Sequence, residues 1–528
     1  MLTLLAGATL LVAPLVPGAL SRESPQEFLG IPVESVIIVL LLLIVVRAPL
    51  QVLAAAVFGA VVLAAVLVSS LDLAFRETID RPFNAAEDGG ALVDAFGVVQ
   101  NALGAVGATT VLAGVGALVV AFGAVVALAA LRVGRRLSQR RRGRAAVAVV
   151  ATVWIVCSLV DAQLVSGAPV AASRTGDTLV ASSARVVASM QEQRAFERAL
   201  TSSDPLDDMP RARLLTGLAG KDVVVAFVES YGRVAVQPSP FTDGIARTLD
   251  EGETTLTRHG FAARSAFLSS PTFGGVSWLA HATLQSGVWV DSPRKYDRLL
   301  SQDRTTLTSV FERAGWRTMA VVPSNERGWE AGESFYGFDT ILDARSMGYR
   351  GPAFGYARMP DQYTWKVFHD HASDNGSGPL MTEIDFVSSH TPWTPLPRMV
   401  SWSDLGDGSV FAPQAAGESA LAAWSDPERV RALYAESVEY SLAAMFSYLE
   451  TFGHDDLVLI VLGDHQPARI VSGPRADHDV PITIIAKDGA IFESIQAWGW
   501  EEGVRPSEVA PVWRMDEFRD RFVDAFSG

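Results

Sequence analysis

The chain has 528 residues and a single cysteine, Cys157, inside an apolar run. No disulfide can form within one chain, so cysteine usage neither demands nor excludes an exported location. Residues 1–170 contain no lysine, and their 11 arginines stand against 10 acids, a net of +1. Residues 171–528 lack any basic excess: 32 basic and 48 acidic residues leave a net of −16. A nucleic-acid surface needs clustered positive charge to displace counterions, so a large acidic domain argues against nucleic acid as a partner. No internal repeat is visible along the chain.

What the sequence has in excess is apolar residues, 49% of the total, with a mean hydropathy of +0.24. The excess is concentrated in the first third. Five apolar runs, at about 2–20, 33–49, 51–70, 108–132 and 145–165, are each near the length that crosses a bilayer as a helix. The first has no basic residue before it and is followed by four more, so it reads as a retained helix rather than a cleaved signal. Little more than Arg47-Ala48-Pro49 separates the second run from the third, which predicts a tight hairpin. Seven arginines between Arg132 and Arg144 mark a cytoplasmic loop. Alternating spans then place the amino terminus and Arg47 inside. The loop 71–107, with Asp72, Glu77, Asp80, Glu87, Asp88 and Asp94, falls outside, as does everything from about 170 onward. The expected organisation is a transmembrane domain (1–168), a linker (169–215) with a helix at 182–200, and a soluble domain (216–528).

In the soluble part, apolar strand candidates at 223–230, 318–324, 382–389, 457–462 and 481–487 alternate with helical stretches at 241–258, 303–314, 360–373 and 426–452. That alternation predicts an α/β fold with a largely parallel sheet. Ligands in such sheets bind beyond the carboxyl ends of the strands. Glu229 ends the first strand, and Asp464-His465 follow the β-branched run Val458–Leu462. A carboxylate and an imidazole delivered there can ligate a cation, and Gly463 permits the chain to bend. Between them, Gly274-Gly275 leads to Ser277, where a helical pattern begins; Gly287 is placed as its carboxyl-terminal cap. A hydroxyl at a helix start sits where backbone N–H groups favour an anion, and a bound cation can activate it as a nucleophile. Thr272 is the other candidate hydroxyl. Further polar clusters follow strands: Ser324-Asn-Glu-Arg-Gly-Trp329, Ser388-Ser-His-Thr-Pro392 and Asp477-His-Asp-Val-Pro481.

Together these segments resemble the alkaline phosphatase superfamily in its sulfatase-like branch. The overall layout is similar to the membrane-anchored lipoteichoic acid synthases and phosphoethanolamine transferases. The resemblance implies five membrane helices followed by an extracytoplasmic catalytic domain in a bacterial-type plasma membrane. Residue by residue, it implies that Glu229, Asp464, His465 and the nucleophile hold one divalent metal, Mn or Zn. A second metal near Asp385, His390 and His478 is left open. His390, His478 and Arg327 are implied in phosphate binding or proton transfer, and Trp329 with the same three in substrate contact. Related enzymes carry the nucleophile ten positions before a helix-ending glycine, which from Gly287 is Ser277; Thr272 has the residue type usual in the membrane transferases. Ser277 is favoured and Thr272 is the alternative. Ser277 is followed by Trp-Leu-Ala-His, not the x-Pro-x-Arg needed for formylglycine, which argues for a hydroxyl nucleophile acting on phosphate. The implied reaction moves a phosphoglycerol- or phosphoethanolamine-like head group from a membrane lipid to an envelope glycan or glycolipid. The alternatives are a hydrolase of the same superfamily and a non-catalytic envelope scaffold.

Overall fold

The computed structural model of the chain describes residues 1–22, 28–139, 141–165, 168–202, 204–374 and 378–528. The chain divides into two compact units, residues 1–77 with 81–193, and residues 78–80 with 194–528.

The first unit is helical. Its apolar helices are α1 (Leu2–Ser21), α2 (Val33–Ile44), α3 (Ala48–Ile79), α4 (Ala91–Ser138) and α5 (Arg141–Leu159). Four of the described helices are long and apolar enough to cross a membrane; α2 is not. Its 12 residues span about 18 Å, against a hydrocarbon core of about 30 Å. The expectation of five full spans is therefore corrected to four long helices and a short one. The apolar run misled because Val45 is extended and ends the helix before the run does. Only Val45, Val46 and Arg47 link α2 to α3, the tight connection expected. Where a loop was expected over 71–107, α3 continues to Ile79 and α4 already starts at Ala91. Asp72 is a buried residue of α3, held by both oxygens against the Arg185 guanidinium at 2.9 and 2.8 Å. The side chain of Asp94 and all of Arg140 lie outside the described residues. Gly59 of α3 meets Gly123 of α4 so closely that a Cβ at Gly59 would lie 2.5 Å from the Gly123 carbonyl. Small residues allow such approach between apolar helices. Helix α6 (Arg174–Thr201) begins eight residues before the expected one, and the division between units falls within it.

The second unit is built on one nine-stranded sheet. Its elements in chain order are β1 (Asp222–Val228), α7 (Asp243–Arg258), β2 (Ala262–Ser269), α8 (Trp278–Ser286), α9 (Leu307–Ala314), β3 (Arg317–Val322), β4 (Thr340–Asp343), α10 (Asp361–Asp374), β5 (Leu380–Phe386), α11 (Pro427–Phe452), β6 (Leu457–Gly463), β7 (Asp479–Ala486), β8 (Glu501–Glu502), β9 (Val512–Arg514) and α12 (Phe518–Phe526). The strand order is β8-β2-β7-β6-β1-β5-β3-β4, with β9 beside β2. Alternate residues of β1 feed two cores: Val224, Ala226 and Val228 pack into one, Val223, Val225 and Phe227 into the other. Side chains of a strand alternate between faces, so a strand covered on both sides reads as an unbroken apolar run. Each buried Val or Phe of this strand contributes about 1.5–3 kcal/mol by leaving water.

The sheet is mixed: most strands share one direction, and β7 and β8 run against it. Strands β6, β1, β5, β3 and β4 run parallel to one another, but β7 is antiparallel to both β6 and β2. The sequence reports burial, not strand direction. The link from β6 to β7 carries only a four-residue helix, Arg469–Ser472, where a crossover to a parallel neighbour is usually built on a longer one. The parallel set still brings the carboxyl ends of β1, β5 and β6 to one edge. Gly463 pairs with Val228 in the register, so Asp464 emerges beside Glu229.

Candidate active site

Glu229, Asp464 and His465, all buried, present ligand atoms within 4.8 Å of one another. The His465 Nε2 lies 3.3 Å from Glu229 Oε1 and 3.5 Å from Asp464 Oδ2. The other ring nitrogen, Nδ1, is 2.8 Å from the Gln466 carbonyl. A carbonyl only accepts, so Nδ1 carries a proton and, in the neutral ring, Nε2 turns its lone pair toward the carboxylates. A backbone partner fixing the far nitrogen is the arrangement that orients a metal-binding imidazole.

Asp464 is held by the chain itself. Its Oδ1 accepts from the amides of Ser230 and His465, each at 2.7 Å, leaving Oδ2 facing the ring. Ser230 has a left-handed backbone, φ 57°, which folds the chain back after Glu229. Gly463 is needed for space: a Cβ there would lie 1.9 Å from the Tyr231 carbonyl. Its backbone is not left-handed, so close approach, not a bend, is what requires glycine.

Ser277 completes the cluster. Gly274, Gly275 and Val276 all have positive φ, at 68°, 156° and 63°. A β-branched residue in that region is strained, a feature common at functional sites. The turn aims the Ser277 hydroxyl at the carboxylates. It donates to Glu229 Oε2 at 3.0 Å and lies 3.3 Å from His465 Nε2. Ser277 occupies the N-cap position of α8, yet its side chain caps nothing. Gly287 ends α8 in the left-handed conformation, as expected. Thr272 is 5% exposed, and its hydroxyl donates to the Gly275 carbonyl inside the same turn.

Charge within the cluster is strongly coupled. Burial raises the Glu229 carboxyl, but the His390 and His465 imidazoles outweigh it and hold it below the usual carboxylate range. Burial, with the Glu229 charge beside it, pushes Asp464 up to about 6. Against burial, Asp464 and Glu229 draw the His465 ring up to about 9. Buried carboxylates around an imidazole oriented through its Nδ1 form a donor set that fits a divalent cation once Nε2 gives up its proton, and the Ser277 oxygen is placed to join it.

The other expected residues are more scattered. His390 is close enough to act electrostatically on Glu229; its Nδ1 lies 2.6 Å from the Thr391 carbonyl, and its ring stacks on Tyr356 at 3.8 Å. The His478 Nε2 is 3.3 Å from Asp80 Oδ2, and its ring packs against Phe273. Arg327 is exposed. Trp329 packs on Tyr336 and Phe338 at the edge of a core.

A second His–carboxylate cluster joins His281, Glu383 and Asp385. Glu383 and His281 were not singled out from the sequence. The available signal was an acid at 383 inside the strand Leu-Met-Thr-Glu-Ile-Asp-Phe, two positions before Asp385 and thus on the same face. His281, four residues after Ser277, shares its helix face.

No protein-family profile and no curated protein sequence matches the chain. Solved structures similar to it include the integral membrane lipooligosaccharide phosphoethanolamine transferase A from Neisseria meningitidis, at 11% identity and TM-score 0.42, over 99% of this chain and 94% of that one. The C-terminal periplasmic domain of EptC from Escherichia coli, in complex with Zn, is 13% identical with TM-score 0.40, over 59% of this chain and 83% of that one. The lipoteichoic acid synthase LtaP from Listeria monocytogenes is 15% identical with TM-score 0.34; the match takes in 51% of this chain and only 66% of that one. Similar structures also include a protein of the alkaline phosphatase superfamily from Vibrio parahaemolyticus. Likenesses this distant carry no functional argument, which rests on the geometry of the site.

Proposed function

We propose that the chain is a membrane-anchored, metal-dependent transferase that moves a phospho-head-group from a lipid to an envelope acceptor through a covalent intermediate on Ser277. The observation that carries this reading is the Ser277 hydroxyl, 3.0 Å from Glu229 Oε2 and 3.3 Å from His465 Nε2. Glu229, Asp464, His465 and Ser277 would hold one divalent ion, and imidazole with carboxylates suits Mn²⁺ or Zn²⁺. When bound, such an ion lowers the pKa of a hydroxyl and neutralises charge on phosphoryl oxygens.

Ser277 Oγ passes its proton to the Glu229 carboxylate that accepts its hydrogen bond and forms a bond to phosphorus, and the phosphorus–oxygen bond to diacylglycerol breaks. His390, the imidazole beside Glu229, gives its proton to the departing oxygen. An acceptor hydroxyl then attacks the same phosphorus and returns a proton to His390, while Ser277 Oγ leaves phosphorus and recovers its proton from Glu229. Arg327, Trp329 and His478 take no part in these steps. The apolar helices of residues 1–168 would confine enzyme and lipid donor to one surface, with the amino terminus cytoplasmic and the catalytic domain outside.

The test uses the full-length protein in vesicles containing phosphatidylglycerol and phosphatidylethanolamine. Peptide mass spectrometry should find a head-group phosphate on Ser277. Ser277→Ala should abolish both the adduct and diacylglycerol release, while Thr272→Ala keeps both. An adduct on Thr272 would move the nucleophile. Free head group released with no acceptor modified would favour the hydrolase reading.

A further inference from the structure

We propose that His281, Glu383 and Asp385 form a second divalent-cation site beside the first. One helix and one strand build it. Helix α8 carries His281 one turn after Ser277, and β5 carries Glu383 and Asp385 on one face. The His281 Nδ1 lies 3.0 Å from Glu383 Oε1 and 3.6 Å from Asp385 Oδ1. Bonds of about 2.0–2.2 Å from one ion to nitrogen and oxygen ligands give separations of this size.

Two of the three ligands are aimed by a neighbour. The His281 ring stacks on Phe227 with centroids 3.7 Å apart. Glu383 Oε2 accepts from Gln285 Nε2 at 2.6 Å, and Gln285 in turn accepts from the Thr308 amide and hydroxyl. Asp385 Oδ1 is a buried oxygen with no hydrogen-bond partner among the described residues. An orphaned carboxylate oxygen is costly unless something cationic occupies the space before it. The side chains of His281 and Glu383 are 14% and 4% exposed, while that of Asp385 is 29% exposed. Asp385 therefore forms the open side, where a water or a phosphoryl oxygen can complete the coordination.

Charge supplies the second argument. Glu229, Asp464 and Asp385 lie at or next to the ends of three adjacent strands, and Glu383 lies two residues back along the third, so four carboxylates gather there. Two imidazoles, His281 and His465, face these four carboxylates, so the site keeps an excess of acids that repels an anionic phosphodiester unless cations offset it. The donor set, one imidazole and two carboxylates, suits Zn²⁺ or Mn²⁺. The site uses neither His390 nor His478.

This inference rests on the proposed first metal site only in expecting two ions rather than one, and the test separates the two. Full-length protein in detergent is equilibrated with Mn²⁺ or Zn²⁺, freed of unbound metal, and assayed for metal per chain by mass spectrometry. Wild type should hold two ions. Glu383→Gln and Asp385→Asn should hold one, Asp464→Asn should also hold one, and His390→Ala and His478→Ala should still hold two. Asp385→Asn lies on the open side and carries the test if Glu383→Gln fails to fold. The second site is overturned if wild type and Asp385→Asn each hold one ion and Asp464→Asn holds none. It is overturned equally if the second ion is lost from His390→Ala or His478→Ala and retained in Asp385→Asn. If Asp464→Asn holds as many ions as wild type, the first site fails and the second stands.

Discussion

The two His–carboxylate clusters at the sheet edge use the same residue types and differ in orientation. In the first, a backbone carbonyl holds Nδ1 of His465 and leaves Nε2 toward two carboxylates and a hydroxyl. In the second, Nδ1 of His281 itself faces the carboxylates, and Gln285 ties Glu383 to Thr308. The first cluster therefore has a group that can attack, while the second has only groups that can hold. Residue type supplies chemistry, but the atom presented decides which part of that chemistry is used.

The largest expected effect tests that asymmetry. Glu229→Gln should lower head-group transfer by roughly 10³-fold or more, about 4 kcal/mol of transition-state stabilisation. A Glu229→Gln, Ser277→Ala double variant should be hardly worse than either alone, because the two act as one unit. Rates measured on all three decide it; additive losses would mean that hydroxyl and carboxylate work separately.

Next in size is the space that admits the first cluster. Gly463→Ala places a Cβ 1.9 Å from the Tyr231 carbonyl, and both partners are backbone. Forcing apart β6 and the turn after β1 should cost 3 kcal/mol or more, read as a lower denaturation midpoint. Activity should fall with it. An unchanged midpoint would show that the strand ends are not rigidly registered.

A buried carboxyl without an imidazole partner gives the control for both clusters. Asp361 accepts from the amides of Val387 and Ser388 and the hydroxyl of Ser441, yet burial pushes it up to about 6. Its folded value lies above the ordinary 3.8. The folded state therefore binds the extra proton between about pH 4 and 6. Its protonation favours folding below that window, and the contribution is lost as pH rises through 6, by up to about 3 kcal/mol. Melting curves of wild type and Asp361→Asn should converge near pH 4 and separate toward pH 7, with the variant gaining in relative stability. Parallel curves would show that its three hydrogen bonds cancel the burial.

The smallest effect concerns the second cluster. Gln285→Ala removes the donor to Glu383 and the acceptor for Thr308, so buried polar atoms lose partners at about 1–2 kcal/mol. It should lower the melting temperature while leaving the Ser277 adduct in place. Loss of the adduct would show that the second cluster also positions the nucleophile.

Much of this was legible in the sequence, for identifiable reasons. Glu229, Asp464 and His465 stood out because each follows an apolar run that burial on both faces imposes. Ser277 was found by counting back from Gly287, whose left-handed φ of 63° only glycine adopts readily. The direction of β7 was not legible, because an antiparallel strand buried on both faces is as apolar as a parallel one. Nor was the end of α2, where the apolar run continues but the helix stops. Glu383 and His281 escaped because each is polar amid apolar neighbours, and only their meeting across α8 and β5 gives them significance.

By itself, then, the sequence determined which segments are buried, where their polar ends fall and which residue types wait there. Tertiary structure decided which of those ends meet. The parallel register of β6 on β1 sets Asp464 beside Glu229, and the positive-φ turn before α8 brings in Ser277 rather than Thr272. The physical reason is one of range. Periodicity and turn chemistry act over a few residues, whereas the cluster joins positions more than 200 residues apart, which only strand pairing and side-chain packing can bring within hydrogen-bond distance.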